Sequence, residues 1–255
     1  MKKNETSNKP SEFEKKWQWR FKQYANLRDD DAGIAGWSET GLITRFNYFS
    51  RLWTCRCAGS IWLDAGCGAG TYSRHLQGEG CAVIGLDYSL GAVLKARERS
   101  PERLNWIVGN AKMLPINSRM LDGAICFGVT QALSESEILI QELIRVVKPG
   151  GQVWIDALNG RCIPSMLKNL YRRVQSKPAH LRYESPRNMR RIFIQQGMTD
   201  VKLYWVPVLP HRLSAYAILL ENSLTRWLFK KAPFLGALFS HSILVTGVKG
   251  LEHPG

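Results

Sequence analysis

Four residues set two apart, Asp64-x-Gly66-x-Gly68-x-Gly70, carry the clearest chemical signal in this 255-residue chain. Glycine at every second position lets backbone approach a ligand closely, because no Cβ stands in the way. The stretch follows a short apolar run, IWLDA at 61–65, and precedes a helical pattern from about Thr71 to Gly78. A helix that starts there turns its free N–H groups toward the same space. The chemistry suggested is binding of an extended polar ligand across a strand end. A dinucleotide loop, G-x-G-x-x-G, would need glycine at 66, 68 and 71, and position 71 is threonine.

The elements that must hold this loop alternate. CAVIGLD (81–87), RLNWIVG (103–109), LDGAICFG (121–128) and QVWIDAL (152–158) read as further buried strands, being short, apolar and bounded by turn residues. Helices are expected over 11–27, 39–57, 71–78, 90–99, 136–147 and 185–198, with a turn at Lys148-Pro149-Gly150-Gly151. VKLYWVPV (201–208) and SILVTGV (242–248) are the last strands. Strands alternating with helices predict an α/β fold: a doubly wound, mostly parallel seven-stranded Rossmann-like sheet. N-terminal helices precede it, and a helical insertion stands before the last strand. Such sheets bind ligands at the carboxyl ends of their strands.

The loop resembles the first motif of class I S-adenosylmethionine-dependent methyltransferases, in their small-molecule branch of ubiquinone and menaquinone methylases. Four more segments carry the resemblance in order. Asp87 ends the second strand, GNAKMLP (109–115) follows the third, Phe127-Gly128-Val129 follows the fourth, and ELIRVVKPGG (142–151) leads into the fifth. The likeness covers about 55–160 well and the final strands loosely. It implies S-adenosyl-L-methionine as cofactor, held by Asp64, Ala65, Gly66, Gly68 and Gly70. It implies Asp87 on the ribose hydroxyls, where a carboxylate can accept two hydrogen bonds. Tyr88 would pack on adenine, Asn110 and Ala111 would meet the adenine edge, and Phe127 would lie beside the methionine part. Two departures stand out: Asn110 replaces the usual aspartate, and Thr130-Gln131-Ala132 stands where Leu-Glu-His often follows.

The resemblance implies one methyltransferase domain over 11–255. It divides into a helical cap at 11–58, a cofactor-binding core at 59–160 and a basic acceptor-side region at 161–255. The first ten residues are polar and expected to be disordered. Net charge is +4 over 1–60, −1 over 61–160 and +11 over 161–255. Charge so unevenly placed points to an anionic partner or to a solvated basic face. Between Arg212 and Ser242, Leu213, Tyr216, Ala217, Leu220, Leu224, Trp227 and Leu228 recur at helical spacing, with Lys230 and Lys231 following. A basic amphipathic helix of this kind either packs on the sheet or lies in a membrane interface. We therefore expect a small-molecule or lipid-linked acceptor, with peripheral contact to an anionic membrane. Nucleic acid is the lesser expectation, because no Asn/Asp-Pro-Pro-Tyr loop, Pro-Cys nucleophile or RNA-binding module is present. RNA methylation and cofactor binding without transfer are the alternatives.

No apolar signal segment and no run of about 18 apolar residues is visible, so a cytoplasmic location, membrane-peripheral at most, is expected. The six cysteines are scattered, and Cys55-Arg-Cys57 lacks a partner pair at zinc-like spacing, so no metal is expected. Tyr24, His180, Tyr183 and His211 lie where acceptor contacts would fall, but their spacing singles none out, and no catalytic residue is named. His75, inside the first core helix, reads as structural.

Overall fold

A computed structural model describes residues 10–54, 58–101, 104–177, 180–208 and 222–251. Ser11 and Glu14 form a reciprocal capping box that starts α1 (Glu12–Leu27). Two more helices, α2 (Asp31–Ile34) and α3 (Glu39–Leu52), complete the N-terminal cap. Strands and helices then alternate: β1 (Ile61–Ala65), α4 (Thr71–Gly78), β2 (Ala82–Asp87), α5 (Leu90–Glu98), β3 (Asn105–Val108) and β4 (Leu121–Cys126). A 3-10 turn at Thr130–Ala132 leads to α6 (Glu137–Val146) and β5 (Val147–Leu158). The chain continues through α7 (Ile163–Val174), α8 (Pro186–Gln195), β6 (Met198–Val206), α9 (Ser223–Lys231), α10 (Pro233–Phe239) and β7 (Ser242–Lys249).

The sheet has seven strands in the order β3-β2-β1-β4-β5-β7-β6. The first five are parallel, and β7 runs antiparallel between β5 and β6. Period-2 alternation sorts the side chains onto two faces. One face packs aromatic residues, Trp62 of β1 and Trp154 of β5 meeting Phe49 of α3 and Tyr72 of α4. The other packs aliphatic residues beneath α6 and α8, around Leu143, Val153 and Phe193. The order reverses beside β1, so the carboxyl ends of β1 and β4 diverge there and leave a crevice.

Two expectations change. The segment 148–151 is not a free turn but the irregular opening of β5, with a register shift between the Leu121 and Gly123 pairings. The long helix expected before the last strand breaks at Pro233, which lacks an N–H and starts α10 as its first residue. The first half of its stripe, like residues 1–9, Cys55, Cys57 and His211, lies outside the described residues. An unexpected helix, α7, follows β5.

Candidate functional site

The glycine loop after β1 folds onto the end of β2, where Gly66 N–H and Cys67 N–H both donate to Leu86 O, at 2.6 and 3.0 Å. Gly66 and Gly68 have φ of 82° and 53°, in the left-handed region that favours glycine. A Cβ on Gly66 would stand 2.2 Å from Val129 Cγ2. A Cβ on Gly68 would meet nothing within 4 Å, since it would point into open space.

That space opens into a cleft at the carboxyl ends of the strands, about 1060 Å³ with the solvent at its mouth included. Gly66, Gly68, Asp87, Tyr88, Asn110, Ala111 and Phe127 all line it. Asp64, Ala65 and Gly70 do not. Asp64 shares the aromatic face with Trp62, directly beneath α4, and accepts from Ser73 Oγ at 2.7 Å. Its full burial pushes the carboxyl up to about 7, despite the hydrogen bond from Ser73. Gly70 is the N-cap of α4, and Ala65 is wholly buried. These three shape the loop from behind.

One part of the cleft is polar. Asp87 accepts from Gly68 N–H at 3.0 Å and from Ser89 N–H at 2.9 Å. Burial raises its pKa above the ordinary carboxylate value, while those N–H groups pull it back down. Asn110 is exposed, and its Oδ1 accepts from Lys112 N–H at 2.9 Å, which leaves one lone pair and the amide N–H groups for a ligand. Another part is apolar and aromatic: Phe127, Tyr72, Trp37 and Leu42, which belong to one cluster. Phe127 and Tyr72 rings stand 4.6 Å apart. Behind them Arg45 and Asp156 form a buried ion pair at 3.1 Å, and Asp156 also accepts from Gly128 N–H at 2.6 Å. The Arg45 guanidinium lies 4.5 Å over the Trp37 ring.

Helix α1 roofs the cleft with Glu14, Trp17, Gln18 and Phe21. Lys112 Nζ donates to both Glu14 oxygens, at 3.1 and 2.9 Å, and Ser134 donates to Glu14 Oε1 through both N–H and Oγ. Burial works to raise the Glu14 pKa, but the bonds from Lys112 and Ser134 outweigh it and hold the carboxyl below its usual value. Tyr88 OH donates to Gln18 O at 2.5 Å. Asp31 pairs with Arg74 of α4 and with Arg99. The cap is thus fastened to the core by a carboxylate at each end.

The Glu14–Lys112 latch was not read from the sequence. The capping-box spacing Ser11-x-x-Glu14 marks a helix start, but no local pattern pairs a residue with another 98 positions away. Tyr24, His180 and Tyr183 lie outside the cleft lining, and His75 packs edge-on to Phe46 at 5.0 Å. Among the described residues no cluster of three or more His, Cys, Asp or Glu side chains could hold a metal.

Residues 63–155 match the family described as methyltransferase domain. Over these residues the chain is similar to a methyltransferase domain. The bifunctional biotin biosynthesis protein of Cellvibrio japonicus is 31% identical over 136 residues, 53% of this chain and 27% of that protein. The demethylmenaquinone methyltransferase of Paenarthrobacter aurescens is 33% identical over 114 residues, 44% of each chain. The chain therefore spans less than half the length of these two relatives. A Haemonchus contortus phosphoethanolamine N-methyltransferase, solved with S-adenosyl-L-methionine, shares the fold at a TM-score of 0.62 and 18% identity, over 91% of this chain and 60% of that one. The matched residues hold the glycine loop, Asp87, Asn110 and Phe127, while the roof and the basic last third lie outside them.

Proposed function

We propose that this protein binds S-adenosyl-L-methionine in the cleft and transfers its methyl group to a small-molecule or lipid-linked acceptor. The observation that carries this is one cleft with two chemically different parts. The Asp87 carboxylate and the Asn110 amide suit a ribose and a nucleobase edge. The open space over Gly68 is where a Cβ would collide with a bound ligand. The aromatic cluster around Phe127, Tyr72 and Trp37 suits the remaining, methyl-bearing part.

Bound there, the cofactor supplies an activated sulfonium methyl. The chain's own contribution is orientation and exclusion of water. Orientation of two reactants can supply roughly 7–11 kcal/mol of the barrier. The acceptor's nucleophilic atom forms the new bond to the methyl as the carbon–sulfur bond breaks, and the sulfur keeps that electron pair. Tyr72 stays protonated at neutral pH, because burial first and then Asp156 raise its pKa well above the usual phenol value. Asp156 is already paired with Arg45. Neither is free to act as a base, so the site favours an acceptor that arrives as its own nucleophile. The +11 charge of residues 161–255 supports an anionic acceptor or an anionic surface that carries it.

Calorimetry with S-adenosylmethionine and its demethylated product tests the proposal. Binding of both is expected, and Gly68→Val abolishes it in a folded protein. Preference for a nicotinamide dinucleotide overturns it. Label transfer to RNA, in place of lipid or small-molecule extracts, would establish the alternative acceptor. Binding without turnover on any extract would leave a cofactor-binding protein.

A further inference from the structure

Helix α7 turns its apolar side away from the protein. Ile163, Met166, Leu167, Leu170, Tyr171 and Val174 are all exposed, Val174 by 75%. At 3.6 residues per turn they fall within an arc of about 140°. Ser165, on the opposite side, is buried. The helix contains no acid, and Lys168 and Arg173 flank the stripe on its two edges. Contiguous apolar patches on a soluble surface mark interaction sites once they exceed a few hundred Å².

Positive charge also gathers on the flank of α7 that carries Lys168. His180 lies just beyond α7, and its Nδ1 is 3.1 Å from Arg20 NH1. Lys16, Lys168 and Arg172 also act on that ring, which burial first and these cations next keep neutral. Helix α10 packs on α7. Next to it, α9 exposes Leu224, Trp227 and Leu228 beside the exposed Lys230 and Lys231.

We propose that the α7 stripe and its flanking cations are a docking face for an anionic lipid bilayer, with α7 lying in the plane of the interface. Apolar residues on one arc with cations at its edges match the layering of acyl chains beneath anionic headgroups. RNA would answer the charge and leave six apolar side chains in water. A second copy of the chain would bring two basic faces together. The face also adjoins the cleft, because Trp17 lines the cleft and donates its indole N–H to His180 O at 3.1 Å. An acceptor dissolved in the bilayer would enter from this side, a consequence that rests on the methyl-transfer proposal. Docking itself does not.

Sedimentation of the full chain with vesicles of phosphatidylglycerol and phosphatidylcholine, against phosphatidylcholine alone, tests this. Binding to the anionic vesicles at low salt is expected, with strong weakening at 0.5 M salt, where the Debye length is only a few ångströms. Each cation removed near an anionic surface costs about fivefold, so Lys168→Glu with Arg173→Glu should weaken binding about 25-fold or more. Leu167→Glu with Leu170→Glu should do so by at least about tenfold. Cofactor affinity, measured by calorimetry on the same variants, should stay unchanged. Unaltered affinity with no vesicle binding by the wild type overturns docking and leaves the methyl-transfer proposal standing. A wild-type dimer that Leu167→Glu converts to monomer also overturns it, by assigning the face to a second copy.

Discussion

Helices α1 and α7 are both basic, amphipathic and close to His180, yet they face opposite ways. Helix α1 turns Trp17 and Phe21 inward over the cleft and locks itself with the buried Glu14–Lys112 pair. Helix α7 buries only Ser165 and shows its apolar stripe to solvent. The difference lies in the partners, not in the periodicity. A carboxylate in α1 finds a lysine and a serine on the core. Helix α7 has no acid; the contact of its buried Ser165 Oγ with His241 Nδ1, at 3.1 Å, holds the side opposite the stripe. A hydrophobic stripe tells that a helix is two-sided, and only a polar anchor tells which side is wet.

The largest effect should come from breaking the α1 latch. Glu14→Ala strands a buried Lys112 ammonium, 8% exposed, and should cost about 3–5 kcal/mol in denaturant unfolding. Lys112→Met in the same chain should recover much of that loss. Trp17→Ala should cost about 3 kcal/mol and weaken cofactor affinity, because the ring is both buried and part of the roof. Asp87→Ala should weaken cofactor affinity by about 1.5–3 kcal/mol, and an unchanged affinity in a folded variant would show Asp87 to be a turn residue only.

Smaller per unit of pH is the effect of the titrating carboxyls. Glu14 lies below its ordinary 4.5, so its contribution is present above that pH and is lost as pH falls through the folded value. Asp64 lies above its ordinary 3.8, at about 7, so the fold holds a proton that the unfolded chain has lost. Its contribution is full below about pH 4 and declines as pH rises toward 7, by up to about 1.4 kcal/mol per unit. Asp64→Asn should flatten that decline in melting curves recorded from pH 4 to 7. The smallest effect is expected on α7, where Leu170→Ser should change stability by no more than about 0.5 kcal/mol, in contrast to any change on the inner face of α1.

The first five strands and α4 to α6 were legible because each is a short apolar run or a 3.6-residue pattern closed by glycine or proline. The glycine loop, Asp87, Asn110 and Phe127 were legible as a set because one strand-end geometry brings them into one cleft. Asp64 lies outside the cleft lining because strand alternation sends its side chain under α4, and a motif does not show which face a residue takes. Helix α7 carried its periodic signal in Ile163, Met166, Leu167, Leu170 and Val174, with Pro164 at its first turn, and was passed over. The Lys112 partner of Glu14 has no local signature at all.

The position of β7 between β5 and β6 has a consequence for synthesis. At the sheet's edge, β6 pairs only with β7 among the described strands, and β7 is made roughly 40 residues later. At ribosomal speeds of about 5–20 residues per second, β6 and the exposed edge of β5 wait roughly 2–8 s for their shared neighbour. During that interval one side of β5 and the whole of β6 are unpaired. A chaperone that shields β-edges would have its heaviest work on this chain in those seconds.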